Sequence, residues 1–121
     1  MSDSIKNLEP KVLWSHFADL NAVPRPSKKE ERIIAFMKAF GEGLGLPTMV
    51  DKVGNVIIKK PATSGMQDCQ TVVLQSHIDM VHQKNGDTIF DFDKQGIDMY
   101  VDGDWVKAKG TTLGADNGLG V

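Results

Sequence analysis

Apolar residues recur at helical spacing twice in the first third of the chain. Leu13, Phe17 and Leu20 follow at intervals of four and three, with Trp14 beside them, the signature of a helix with one buried face. Pro10 has the fixed φ that suits a first helical turn, so residues 10 to 21 are predicted helical. Pro24-Arg25-Pro26 breaks that run, and Ser27-Lys28-Lys29-Glu30 has the spacing of a capping box. In that box the Ser27 hydroxyl accepts from the Glu30 amide while the Glu30 carboxylate reaches back. A second helix then carries Ile33, Met37, Phe40 and Leu44 as its buried stripe, and Gly41, Gly43 and Gly45 end it. Met37 in that stripe is core filling, not a ligand.

The pattern next shortens into extended runs. Thr48 to Val50 and Asn55 to Lys59 read as two strands around Asp51 to Gly54, the second holding Val56-Ile57-Ile58. Thr71-Val72-Val73-Leu74 is apolar without alternation, as expected of a strand buried on both faces at a sheet centre. His77 and Asp79 follow directly, where open α/β sheets place their ligands. Asp102-Gly103 between two apolar runs signals a hairpin, and Gly114 to Gly120 reads as a turn entering a helix. Together these elements predict an α/β fold, helices packed on a mixed β-sheet, as one domain over residues 1–121. The sequence shows no internal repeat and no low-complexity segment.

Composition narrows the partners. Lys and Arg number 14 against 16 Asp and Glu, a net charge of −2, and no stretch concentrates basic with aromatic residues, so no nucleic-acid partner is expected. The first residues hold no apolar run of signal-peptide length, and none approaches the roughly 20 apolar residues of a membrane span. No membrane partner is expected either, and the cytoplasm is the expected location. The single Cys69 cannot form an intrachain disulfide, in keeping with a reducing compartment. Beside Asp68 and Gln70 it has no activating neighbour and is read as inert.

In an extended segment His77 and Asp79 leave the same face while Ile78 points the other way. One can bind a metal and the other orient it. Their spacing is equally that of a histidine hydrogen-bonded near a sheet edge and an aspartate capping the next turn. Asp116 stands in Gly114-Ala115-Asp116-Asn117-Gly118, where the lack of bulk lets backbone approach an ion or take an unusual conformation. It also fits an N-cap for a helix beginning near Asn117. Asp91 to Asp102 echoes a calcium loop at its first, third and sixth positions, then fails at Asp98 and Asp102. It is read as a solvated acidic loop. His82 suits a pocket lining or, more simply, an exposed loop, and His16 is read as structural.

The element order, with His77-Ile78-Asp79-Met80-Val81 and Lys107-Ala108-Lys109-Gly110-Thr111-Thr112-Leu113-Gly114-Ala115-Asp116-Asn117-Gly118, resembles the N-terminal part of the bacterial aminoacyl-histidine dipeptidases. These are also called Xaa-His dipeptidase or peptidase D, within the co-catalytic zinc peptidases and deacylases. Val53-Gly54-Asn55 and Lys60-Pro61-Ala62-Thr63 extend the likeness over nearly the whole chain. Asn117-Gly118 replaces the Met-Lys of wider family members, which points to the histidine-dipeptidase branch.

The resemblance implies that His77 binds one zinc, that Asp116 bridges two, and that Asp79 serves catalysis by supporting His77. It implies two Zn2+ ions as cofactors and, as substrates, unblocked dipeptides with C-terminal histidine, carnosine-like compounds among them. It implies too that the Asp116-Asn117 peptide is cis and that the metal-binding atoms of His77 and Asp116 lie roughly 3 to 5 Å apart. The chain is expected to be the N-terminal part of a zinc-peptidase catalytic domain, lid domain absent and interrupted after Val121. A Glu general base, a second Glu ligand, a further acidic ligand and a late histidine would lie downstream, as would any surface for homo-oligomer formation. A catalytic zinc takes three protein ligands and water, so the chain alone is expected to be inactive. Two other readings stay open: a tripeptide aminopeptidase, whose motif continues with Asp-Lys, and a non-catalytic binding domain on this scaffold.

Overall fold

The computed structural model describes residues 2–121. In chain order it contains α1 (Ser2–Lys6), α2 (Lys11–Asn21), α3 (Glu31–Gly43), β1 (Thr48–Val50), β2 (Val56–Ile58), β3 (Met99–Asp102), β4 (Trp105–Ala108) and α4 (Ala115–Gly118). The strands pair as two separate antiparallel hairpins, β1 with β2 and β3 with β4. The chain divides into two compact units, one of Ile34–Ser76 and the other of the residues up to Ile33 together with His77–Val121.

In the discontinuous unit the core is Ile5, Phe17, Ala18 and Met99, with Leu8, Trp14, Ile97, Val106, Leu113 and Ala115 packed round it. The α2 stripe supplies Phe17 and Leu20 as the spacing predicts, and Trp14 meets Phe17 edge to face at 6.0 Å. Leu13 stays 44% exposed, because Ala18 and Asn21 take the buried face one step round the helix. The five-residue α1 is not foreseen by the sequence, being too short for any period to show, yet it places Ile5 at the centre of this core.

In the continuous unit β1 and β2 pair in the register Thr48 with Ile58 and Val50 with Val56. Gly41 lies inside α3 instead of ending it: a Cβ there would sit 2.3 Å from Thr48 Oγ1, so glycine lets helix and hairpin close together. The end comes at Gly45, φ 71°, where Leu46 N donates to Gly41 O and Gly45 N to Glu42 O, a Schellman motif. Phe40 and Leu44, predicted buried, are exposed, since the packed face of the helix runs through Gly41.

Two further expectations are corrected. Thr71 to Leu74 joins no ladder, and Val72, Val73 and Leu74 are 78, 83 and 93% exposed. A strand buried on both faces needs a neighbour on each side, and no segment of the described residues pairs with it. The α/β class stands, but its sheets are two antiparallel pairs, and the parallel contact present is an isolated bridge between Pro26 and Met80. The capping box forms only in part. Glu30 Oε1 accepts from Lys28 N at 2.9 Å, whereas the Ser27 hydroxyl turns away from the helix altogether, toward Asp79. No helix among the described residues is long and apolar enough to cross a membrane.

Candidate functional site

Two backbone pairings place the candidate residues. Met80 N donates to Arg25 O at 3.0 Å and Ser27 N to Met80 O at 3.1 Å, which fixes the segment just after His77 against the Pro24–Ser27 turn. Residues 81–85 then run antiparallel to 110–112: Asn85 N donates to Gly110 O at 2.8 Å, Thr112 N to Gln83 O at 2.9 Å, and the Thr112 hydroxyl to Val81 O at 2.8 Å. Counting outward from the Lys84–Thr111 bridge, by the same number of residues in opposite directions, reaches Asp79 on one segment and Asp116 on the other. The long-range pairing therefore brings together side chains far apart in sequence.

There the side chains of His77, Asp79 and Asp116 meet. His77 Nε2 lies 3.0 Å from Asp116 Oδ1, and its Nδ1 lies 3.1 Å from Asp79 Oδ1 and 3.2 Å from Asp79 O. The Ser27 hydroxyl donates to Asp79 Oδ2 at 2.6 Å. A line of polar groups thus runs from Ser27 through Asp79 and His77 to Asp116. Exposure rises along it: the side chains of Asp79, His77 and Asp116 are 30, 51 and 97% exposed.

The electrostatics follow from the contacts. The Asp116 carboxylate, joined by the Asp79 backbone and side chain, raises the His77 imidazole above its ordinary pKa against a smaller opposing effect of desolvation. The Ser27 hydroxyl, with His77, holds the Asp79 carboxyl below the usual range. Nδ1 faces two acceptors, which favours the tautomer with its proton on Nδ1, and Nε2 faces a carboxylate. That arrangement is favourable only with a cation between the last two groups, either a proton on Nε2 or a metal ion.

The donor set fits a corner of a zinc site. Ligand atoms about 2 Å from a tetrahedral ion lie a little over 3 Å apart, and a ligating histidine commonly gives its other N–H to a carboxylate, as His77 does. Among the described residues no group of three or more His, Cys, Asp or Glu side chains gathers to complete such a site. Asp116 is not a helix cap: it lies within α4 with φ −94° and ψ 101°, and the Asp116-Asn117 peptide is cis, as the resemblance implies.

The other sequence candidates fall away from this corner. In the acidic loop Asp93 pairs with Lys29 at 2.8 Å, Asp98 with Lys109 at 3.3 Å and Asp102 with Lys107 at 2.5 Å, so its carboxylates face lysines. His82 is exposed and meets the Phe92 ring edge on at 5.7 Å. His16 lies on the exposed side of α2, and Cys69 is exposed. Hollows of about 280 Å³ beside Trp14 and Trp105, and about 230 Å³ beside Lys84 and Thr111, contain none of His77, Asp79 and Asp116. Sequence reasoning missed Ser27, read as a cap, and Arg25, read only as part of a helix-breaking turn. A hydroxyl four residues from a helix start gives no sign that its partner is 52 residues away.

No protein-family model matches the chain. It is 49% identical over 117 residues, 97% of its own length and 24% of the other's, to the cytosol non-specific dipeptidase of Escherichia coli (strain K12). Its fold superposes on the crystal structure of aminoacylhistidine dipeptidase from Vibrio alginolyticus with a TM-score of 0.92 and 50% identity, covering 99% of this chain and 25% of that one. The chain spans about a quarter of the length of the relatives it matches. Over that quarter, its likeness is in sequence to a cytosol non-specific dipeptidase and in sequence and fold to an aminoacylhistidine dipeptidase.

Proposed function

We propose that this chain provides one corner of a zinc-dependent dipeptidase centre, with His77 a ligand of one ion, Asp116 a carboxylate shared by two, and Asp79 the group that orients His77. The observation that carries this reading is the 3.0 Å approach of His77 Nε2 to Asp116 Oδ1 while Nδ1 is held by Asp79. Zinc bound there would polarise a peptide carbonyl and bring a bound water's pKa close to neutrality. Asp79 fixes the imidazole tautomer, Ser27 fixes the Asp79 rotamer, and the Asp116 side chain is left exposed. The two relatives bear the names of a non-specific and an aminoacylhistidine dipeptidase. We assign dipeptides as the substrate class, Xaa-His as the preferred members, and the cytosol as the location.

The test uses the intact protein, with zinc measured by competition against a chromophoric chelator and hydrolysis measured on Ala-His, carnosine and Ala-Leu. His77→Ala and Asp116→Ala should each lose zinc and turnover together while the fold is kept. Wild-type zinc affinity in both variants would refute the metal corner. Equal kcat/KM on Ala-His and Ala-Leu would remove the histidine preference and leave the dipeptidase. Release of the N-terminal residue from tripeptides in preference to dipeptides would favour the aminopeptidase instead.

A further inference from the structure

Arg25 is 1% exposed and has no part in the chemistry above. All four of its Nη hydrogens have acceptors. Nη1 donates to the carbonyls of Ile78 at 3.2 Å and Asp79 at 3.3 Å, and Nη2 donates to the Gly114 carbonyl at 2.9 Å and to Asn21 Oδ1 at 2.6 Å. Asn21 carries the grip one residue further, its Nδ2 donating to Leu113 O at 2.9 Å. One buried guanidinium therefore holds, on opposite sides, the segment that bears His77 and Asp79 and the segment that leads into Asp116.

A buried cation is an expensive filler. Desolvation lowers its pKa to about 10, against the opposing pull of Asp79, so it remains charged at neutral pH. Where packing alone is required, an apolar residue of similar volume commonly serves as well or better. The surroundings are shaped to the Nη end of the group, while the buried Nε has no hydrogen-bond partner among the described residues. Pro24 and Pro26 restrict the backbone on either side, and Met80 N bonds the Arg25 carbonyl. A Cβ on Gly118 would come within 2.7 Å of Nη2 and 3.0 Å of the Phe17 ring, so a side chain there would displace the guanidinium from its present place.

From this juxtaposition we infer that Arg25 is the positioning residue of the corner: by tying the Ile78 and Asp79 carbonyls to the Gly114 carbonyl, it sets the separation of His77 Nε2 from Asp116 Oδ1. The inference rests on the metal reading proposed above. Lysine cannot take its place, because a single ammonium on a flexible stem cannot reach carbonyls on two sides as a planar fork does.

The experiment compares Arg25→Lys, Arg25→Met and His77→Ala in the intact protein, reading zinc affinity by chelator competition, kcat and KM separately, and the thermal transition. Supporting groups of this kind are worth roughly 10- to 100-fold in metal affinity. Arg25→Lys is expected to stay folded, to bind zinc 10- to 100-fold more weakly, and to lose kcat while KM stays within about threefold. Arg25→Met should show the same losses even if it is more stable than the parent. Wild-type zinc affinity and kcat in either folded variant would overturn the inference, as would loss of folding in both, which would make Arg25 a purely structural bolt. If His77→Ala also binds zinc normally, the metal reading itself has failed. If His77→Ala loses zinc and the folded Arg25 variants do not, only the inference about Arg25 has.

Discussion

Asp51 and Asp116 are the same side chain used in opposite ways. Asp51 sits between β1 and β2 and accepts from Val53 N at 2.9 Å, Asn55 N at 2.9 Å and Asn55 Nδ2 at 2.8 Å, all within four residues along the chain. Three of its acceptor positions are taken in closing a turn. Asp116 meets a histidine 39 residues away and leaves its side chain 97% exposed, and Asp79 is held by Ser27 from 52 residues away. A carboxylate satisfied by its neighbours stabilises a local bend. One brought up by distant chain keeps coordination capacity for something else.

The strongest way to break this contrast is through the framework behind each group. Phe17 is 1% exposed in the core that supports the corner, and Phe17→Ala is expected to cost about 3 to 5 kcal/mol. Val53, 75% exposed beside Asp51, should change stability by no more than about 0.5 kcal/mol on truncation to alanine. Denaturant unfolding of the two variants measures both, and similar values would erase the distinction. Next in size, Asp79→Asn should weaken zinc binding roughly 10- to 100-fold, whereas Asp51→Asn should leave it unchanged; a zinc defect in the latter would show that the turn also serves the site.

Gly54 sharpens the local half of the contrast. Its φ is 96° and an added Cβ would lie 3.0 Å from Ile34 Cδ1, so Gly54→Ala should cost about 1 to 2 kcal/mol with metal affinity intact. Unfolding at the parent's midpoint would mean that the loop adapts freely. The smallest effect is one of pH. The Asn55 side chain, followed by backbone amides, holds the Asp51 carboxyl below its ordinary value. Its contribution is therefore present above the ordinary carboxylate pKa and is lost as pH falls through the depressed folded one. Amide exchange at Val53 and Asn55 should quicken over that acid window in the wild type and show no such step in Asp51→Ala.

The same divide separates what could be read from sequence from what could not. The helix predicted at 10–21 is Lys11–Asn21, and the strands around Asp51 and the Asp102-Gly103 hairpin stand where expected. Periodicity and turn chemistry are local, and so they leave local marks. Thr71 to Leu74 was misassigned because a strand's existence depends on partners its own residues do not encode. Ser27 has the pattern of a cap but is used by Asp79, and Arg25 belongs to no pattern at all, since three of its four acceptors are backbone carbonyls 53 to 89 residues away. His77, Asp79 and Asp116 stand out in the sequence because their neighbourhoods are unusual, two polar groups after an apolar run and an acid among glycines, and the fold brings the three side chains together.

The pairing of residues 81–85 with 110–112 also makes everything between them an excursion with fixed ends. It includes the Asp102-Gly103 turn, where Gly103 has φ 59° and an added Cβ would meet no atom within 4 Å. Doubling the length of a flexible loop adds only about 0.6 kcal/mol of closure entropy. Extra residues inserted at that turn would lengthen the excursion without shifting the register that sets His77 against Asp116. The corner is expected to be insulated from growth at that turn, and a short tag inserted between Asp102 and Gly103 should leave zinc affinity unchanged.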